Sequence, residues 1–266
     1  MKIVSSSHKS LITFVLSFAL VLGMVTLAGF TMRTSSSQNG SVSWGLKYNV
    51  PHTPPEGNVD GIKILETNRG RFVGDQSQKT IYLTFDLGYE AGFTEEVLDV
   101  LQQKNVSAVF FLVGHYLESQ PELVQRMIDE GHFIGNHSYN HLKASGNSAE
   151  KIREDAQKLQ TAAQEKFNVT PLFYRPPSGV FTNDSIGNAS SLGLTTLLWG
   201  VAYQDWGSYT MERQAAVDKL MSRIHPGAIV LLHLANETNS DMLPYFIQEA
   251  QAAGYTIGCP SELVMD

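Results

Sequence analysis

The sequence predicts an α/β fold, a distorted (β/α) barrel of parallel strands, and three observations predict it. From residue 80 to the end of the chain, short apolar runs alternate with helical stretches, a pattern that means parallel strands joined by crossovers. The chain has 266 residues and 42% hydrophobic content, enough for one good-sized domain with a real core. No Gly-rich dinucleotide or phosphate-binding fingerprint follows the first strand, which weakens the runner-up, an open doubly wound sheet.

The elements follow in order. "TIYLTFD" (80–86) alternates as a strand, with Ile81, Leu83 and Phe85 on one face and Tyr82, Thr84 and Asp86 on the other. A helix over about 93–104 carries Val97, Leu98 and Leu101 as its apolar stripe. "SAVFFLVG" (107–114) reads as a buried strand. Ser119 and Glu122 have capping-box spacing, with Pro121 in the first turn of the next helix. "HFIGNH" (132–137) is a third strand, and a long helix spans about 148–167, with Ile152, Ala156, Leu159, Ala163 and Phe167 at helical spacing. "LFYR" (172–175), "TTLLWGVAY" (195–203) and "AIVLLHL" (228–234) are further strands, with helices over about 210–224 and 241–253. Upstream, residues 34–79 read as a polar linker and an irregular N-terminal extension, in which "PHTPPEG" marks extended or turn structure.

Charge and the N-terminus bound the setting. With 19 basic and 26 acidic residues the net charge is −7, which argues against a nucleic-acid partner. The single cysteine, Cys259, excludes an intrachain disulfide. Lys2 and Lys9 precede the apolar run Leu11 to Phe30, the arrangement of an export signal. Residues 1–33 are therefore expected to be either a cleaved signal, with Thr26 and Ala28 ahead of the cut, or an uncleaved membrane anchor.

Polar residues fall at strand ends. Asp86, His137 and Arg175 close the first, third and fourth strands, Asp205 and Trp206 follow the next, and His233 lies near the end of the last. In a parallel barrel those ends share one face, where active sites of this architecture are built. Each residue alone has a bland explanation as a turn residue or a structural histidine; their convergence is what points to chemistry. In "HSYNH" (137–141), His137 and His141 are four apart. On one helical turn that spacing puts both imidazoles on one face, able to share a metal.

These motifs resemble the polysaccharide deacetylases with a NodB-type domain. "TFDLG" is similar to that family's TFDDG motif, "HSYNH" to its H-S/T-x-x-H pair, "RPPSG" to its R-x-P motif, and "DW" (205–206) and "LLH" (231–233) to its last two, all in order. "SWGLKYN" (43–49), "GHFIGNHSYNH" (131–141) and "IHPGAIVLLH" (224–233) resemble the branch of delta-lactam-biosynthetic, muramic-acid de-N-acetylases. The resemblance implies a distorted (β/α) barrel of the polysaccharide deacetylase type over 80–266. It also implies hydrolysis of an N-acetyl group on peptidoglycan strands, outside the cell in the wall or spore envelope.

The resemblance makes Asp86 the general base, His233 the general acid, Asp205 the group that orients His233, and Arg175 the group that holds Asp86. His137 and His141 would bind a divalent metal: zinc, manganese or cobalt. The Ser178 N–H would help form an oxyanion hole, and Trp206 would wall the sugar pocket. Apart from the resemblance, Tyr89 and Tyr174 flank the motifs and are candidates either to stack on substrate sugar rings or to pack in the core or lie on the surface. Amide hydrolysis needs these parts: an activated water, a stabilised oxyanion and a proton for the leaving amine. Two departures stand out. Leu87 occupies the place of the family's second aspartate, a metal ligand, which weakens the expected site; Glu90 is either a replacement oxygen or a surface or substrate-contacting carboxylate. Ser178 stands where a larger residue is expected. The alternatives are an N-acetylglucosamine or chitin-type deacetylase and a metal-deficient, non-catalytic glycan binder.

Overall fold

The computed structural model describes residues 40–207 and 209–265. The expected signal or anchor and most of the linker lie outside the described residues. In chain order the elements are β1 (Val42–Ser43), β2 (Leu46–Lys47), β3 (Glu56–Gly57), α1 (Val59–Thr67), β4 (Gly70–Arg71), β5 (Thr80–Leu87), α2 (Thr94–Lys104), β6 (Val109–Leu112), α3 (Gly114–Ser119), α4 (Pro121–Asp129) and β7 (Phe133–Asn136). They continue with α5 (Ala149–Phe167), β8 (Phe173–Tyr174), β9 (Val180–Phe181), α6 (Asn183–Ser191), β10 (Thr195–Leu197), α7 (Arg213–Met221), β11 (Ala228–His233), α8 (Glu237–Ala252) and β12 (Thr256–Ile257).

The main sheet runs β11-β5-β6-β7-β8-β10-β4, every pairing parallel, with β12 beside the start of β5. It curls into a half-barrel. Past β10 the backbone returns to β11 through a Val201–Val230 bridge, where Leu231 N–H donates to Val201 O at 2.9 Å. The expected barrel is therefore present, with a thin seam where "TTLLWGVAY" leaves the ladder after Leu197.

Alternation in β5 sets the two layers. Ile81, Leu83, Phe85 and Leu87 pack outward against α2, α7 and α8, in one apolar cluster with Leu98, Leu101, Val217 and Phe246. Fully burying side chains of this size contributes about 1.5–3 kcal/mol each. Tyr82 faces the barrel interior with Phe111, Phe173 and Ile229. Gly135 in β7 makes room for Phe111, since a Cβ there would meet the Phe111 ring at 2.5 Å. The same alternation leaves Thr84 and Asp86 inside, with Asp86 at the strand's C-terminal end.

Several expectations need correction. Ser119 is the last residue of α3, so it cannot cap the next helix; α4 has Gln120 as its N-cap, with no side-chain bond. The last long helix begins at Glu237, not near 241, because Asn236 caps it by accepting the Thr238 N–H. Helix α6 was not anticipated from "NDSIGNASS"; a reciprocal Thr182–Ser185 capping box starts it. The segment 42–79 is not simply an irregular extension. It contributes α1, a strand of the main sheet (β4) and β1, which pairs antiparallel with β9. Trp44 N–H donates to Gly179 O at 2.8 Å, and its indole N–H donates to Trp199 O at 3.1 Å. The boundary expected at residue 80 thus does not separate two bodies, and the described residues all fall within one compact unit.

Candidate active site

At the C-terminal mouth of the sheet, Asp86 on β5 and His233 on β11 are register partners on adjacent parallel strands. Both line a cavity of about 430 Å3 together with His137, His141, Ser178, Trp199 and Trp206. The strand-end residues expected to converge do converge.

Arg175 anchors this mouth from below. It is fully buried, lies 4.1 Å from the Phe111 ring centre, and spends its guanidinium on three acceptors. Nε donates to Leu197 O at 2.9 Å, one terminal nitrogen to Thr84 Oγ1 at 2.9 Å, and the other to Asp86 Oδ1 at 2.7 Å. Thr84 Oγ1 in turn donates to Val230 O at 2.6 Å. The bridge therefore ties four strands to the carboxylate. Burial alone would raise the Asp86 pKa, but the Arg175 guanidinium, with the neighbouring His137 and His233 imidazoles, overcomes it and holds the carboxyl below its ordinary value.

His137 lies on the other side of Asp86. Its Nδ1 is 2.8 Å from Arg175 O, and a carbonyl only accepts, so Nδ1 carries the proton and Nε2 presents a lone pair. Nε2 is 3.6 Å from Asp86 Oδ2. Burial pushes the His137 pKa down to about 4, and burial also lowers His141. The two imidazole rings meet at 5.0 Å. They do so without a helical turn. Ser138 and His141 have φ of 61° and 54°, so a loop with left-handed residues brings them together, in contrast to the helical spacing expected.

A neutral imidazole nitrogen and an ionised carboxylate oxygen facing each other with no proton to share suit a cation, and His141 supplies a second imidazole. The two imidazoles are a partial donor set of the kind a divalent metal takes, and among the described residues no group of three or more His, Cys, Asp or Glu is placed to hold one. Leu87 adds nothing to it, being 2% exposed in the helix-facing core. Glu90 does not replace the missing ligand. Its carboxylate accepts the N–H groups of Gly92 (2.6 Å) and Phe93 (3.1 Å), the Thr94 hydroxyl (2.5 Å) and the Tyr116 hydroxyl (2.6 Å). It fixes the start of α2, with both oxygens engaged inside the protein.

His233 is held by Asp205. Asp205 Oδ1 is 2.8 Å from His233 Nδ1, and Oδ2 accepts the His233 N–H at 2.8 Å. Burial would lower the His233 pKa, but the hydrogen bond and charge of Asp205, aided by Asp86, raise it above its ordinary value. The Trp206 ring, 53% exposed, stands 5.8 Å from the His233 ring at the cavity edge. Ser178 lines the cavity with φ 57°, a left-handed conformation that turns the chain after "RPP". Gly179, at φ 64°, must lack a side chain, because a Cβ would meet Trp199 at 2.9 Å.

Other residues fall outside the cavity or were missed. Tyr89 lies outside this cavity, 77% exposed on a neighbouring groove. Tyr174, a candidate for stacking or packing, is 1% exposed and belongs to the core. Cys259 is exposed and takes no part. The sequence reading missed Trp199 in the cavity wall, Thr84 beneath Arg175, and Asn239, which donates to Asp205 Oδ2 at 2.6 Å and to His233 O at 2.7 Å. Only Thr84 carried a signal, as an inward residue one alternation before Asp86.

A curled parallel half-barrel with this cluster at its strand ends is an architecture seen before. Residues 73–197 match the sequence profile described as Polysaccharide deacetylase. The chain belongs to that family, hydrolases that act on the amide bond of N-acetyl groups. It is 36% identical over 247 residues to the Peptidoglycan-N-acetylmuramic acid deacetylase PdaA of Bacillus subtilis (strain 168), covering 91% of this chain and 93% of that protein. The solved structure of Bacillus subtilis PdaA, a family 4 carbohydrate esterase, superposes with a TM-score of 0.80 at 35% identity, covering 85% of this chain and 98% of that one. A family 4 pseudoenzyme from Bacillus anthracis is also similar, at TM-score 0.69 and 27% identity, covering 74% of this chain and 69% of that one.

Proposed function

We propose that the chain is a peptidoglycan deacetylase that hydrolyses the N-acetyl group of N-acetylmuramic acid and releases acetate. The observation that carries this reading is the adjacency of Asp86 and His233, a carboxylate held ionised beside an imidazole held towards its protonated form. Environments that push two titratable groups apart in this way assign one as base and the other as acid.

Asp86 takes the proton of the attacking water, and Arg175 keeps the carboxylate ionised and aimed into the cavity. His233 gives its proton to the leaving amine nitrogen, and Asp205 fixes the ring so that Nε2 faces the substrate. The Ser178 N–H serves the developing oxyanion; losing one such donor typically costs about 3–4 kcal/mol. Trp206 and Trp199 bound the sugar and exclude water. His137 and His141 would hold a divalent cation, zinc, manganese or cobalt, beside Asp86, whose Oδ2 stays free to take the proton. When bound, such an ion polarises the acetamide carbonyl and acidifies water, which a carboxylate as weakly basic as Asp86 requires.

The similarity to PdaA supports muramic acid over N-acetylglucosamine as the target sugar. It also supports action outside the cell on the wall, with the spore cortex as the branch-level expectation. Acetate release is the test: purified protein with added zinc, manganese or cobalt is incubated with peptidoglycan strands bearing or lacking stem peptides. Mass spectrometry is expected to find the lost acetyl group on muramic acid. No acetate from any strand under any of the three metals overturns the reading, and loss from glucosamine alone overturns the choice of sugar.

A further inference from the structure

We propose that the groove beside the catalytic cavity is a second sugar subsite, in which Tyr89, backed by His115, stacks on the pyranose next along the strand from the sugar being deacetylated. The inference rests on the deacetylase reading above and extends it to a site that the cavity does not include.

The groove has a volume of about 510 Å3 and is lined by Tyr89, His115, Glu118, Tyr139, Asn140 and His141. His141 also lines the catalytic cavity. The two spaces are therefore neighbours on either side of that imidazole, so a strand laid across the mouth with one sugar in the cavity brings the next sugar to the groove. This adjacency separates Tyr89 from the scattered exposed aromatics that any surface carries.

The wall is built before a ligand arrives. Tyr89 is 77% exposed, yet its loop is pinned, because the adjacent Glu90 carboxylate binds Gly92, Phe93, Thr94 and Tyr116. The Tyr89 ring is backed by the His115 ring at 4.9 Å. Tyr139 is clamped over Gly114, where a Cβ would meet its ring at 2.6 Å, with Lys158 Nζ 3.8 Å from the ring centre. An aromatic surface held in place loses little entropy on binding.

The chemistry suits a sugar better than a stem peptide. The apolar C–H face of a pyranose packs on an aromatic ring, and its hydroxyls find acceptors in Glu118 and Asn140. An acidic peptide would need unspent cations, but Lys158 is engaged over Tyr139 and Lys166 pairs with Glu118. The groove thus offers ring surface and hydrogen-bond acceptors.

The test compares wild type, Tyr89→Ala and Tyr89→Trp on a peptide-free N-acetylglucosamine–N-acetylmuramic acid tetrasaccharide, on N-acetylmuramic acid alone, and on peptide-bearing strands. Calorimetry gives the tetrasaccharide Kd and acetate release gives kcat/KM. Tyr89→Ala is expected to weaken tetrasaccharide Kd by about threefold to tenfold, the range of one aromatic contact. It should also lower kcat/KM for the tetrasaccharide by that factor more than for the monosaccharide, and Tyr89→Trp should restore both. Equal losses on long and short substrates, an effect confined to peptide-bearing strands, or an unchanged Kd overturns the subsite. If the wild type releases no acetate, the deacetylase reading fails separately, and the subsite is judged by the tetrasaccharide Kd, with no binding by wild type counting against it.

Discussion

Asp205 grips His233 twice, with Oδ1 2.8 Å from the imidazole Nδ1 and Oδ2 accepting the backbone N–H of the same residue at 2.8 Å. Asn239 holds Oδ2 from the far side at 2.6 Å, and the Tyr203 hydroxyl donates to Asn239 Oδ1 at 2.5 Å. The imidazole therefore has a fixed tautomer and a fixed direction. Asp205 is 2% exposed, so its charge acts on His233 with little screening by water.

The pH dependence of catalysis follows from this grip. His233 must be protonated to serve as an acid, and its pKa is raised above the ordinary value of about 6.5. Activity is lost as pH rises through that raised pKa. Asp205→Asn removes the opposing charge but leaves the burial that lowers the pKa. The alkaline limb of kcat/KM should move to lower pH, and kcat should fall about 100-fold or more. A pH–rate profile of acetate release checks both; an unmoved alkaline limb shows that His233 is not the titrating acid.

Arg175 should matter more to folding than an exposed arginine does. Arg175→Met leaves the Asp86 carboxylate with its buried charge unpaired, at a cost of about 3–5 kcal/mol. Arg175→Lys cannot bond Leu197 O, Thr84 and Asp86 together, so it should be destabilised as well. The double variant Arg175→Met with Asp86→Asn, lacking the orphaned charge, should recover part of the loss. Denaturant unfolding of these three variants, of Asp86→Asn alone and of wild type measures the differences, and full additivity of Arg175→Met and Asp86→Asn would show that the pair is not coupled.

Acid should destabilise the fold through His132, which lies away from the active site. Its ring is buried on Ala108, with Nδ1 accepting the Ala108 N–H at 3.3 Å, and burial pushes its pKa down to about 4. The unfolded chain takes up this proton near pH 6.5, whereas the native state resists it until about pH 4. The unfolded state therefore binds more protons in that window, and stability falls as pH drops through it, by on the order of 3 kcal/mol for this group. His132→Asn should flatten the dependence of Tm on pH between about 6.5 and 4 relative to wild type. An unchanged slope would assign the acid sensitivity to other groups.

The sequence revealed the layers better than the loops. Ile81, Leu83 and Phe85 against Tyr82, Thr84 and Asp86 gave both faces of β5, because alternation records burial directly. The strand-end residues were legible for the same reason, since the sheet's direction fixes where they point. The His137–His141 pair was found but its cause was not: the i, i+4 spacing suited a helix, whereas Ser138 and His141 adopt left-handed backbone conformations set by tertiary contacts. Asn239 and Trp199 reach the site from α8 and from the segment after β10. No local periodicity reports such a placement. Helix α6 escaped because its exposed face is small and polar, and only Ile186 and Ala189 mark its buried side.

Leu87 tests how far the core has taken over a position beside the catalytic carboxylate. Asp86 and Leu87 are consecutive on β5, so their side chains take opposite faces. Asp86 enters the mouth, and Leu87 packs with the outward layer that includes Leu112, Val113 and Tyr116. An aspartate at 87 would bring a carboxylate into that apolar layer. In metal-free protein, Leu87→Asp should therefore lower stability by about 2–4 kcal/mol, the combined cost of a lost apolar contact and a buried polar group. Leu87→Met keeps the volume and should cost less than about 1.5 kcal/mol. Urea unfolding of both variants after chelation separates the two cases. If Leu87→Asp is as stable as wild type, the side chain at 87 has swung out of the core into the mouth, and the position is open to a ligand after all.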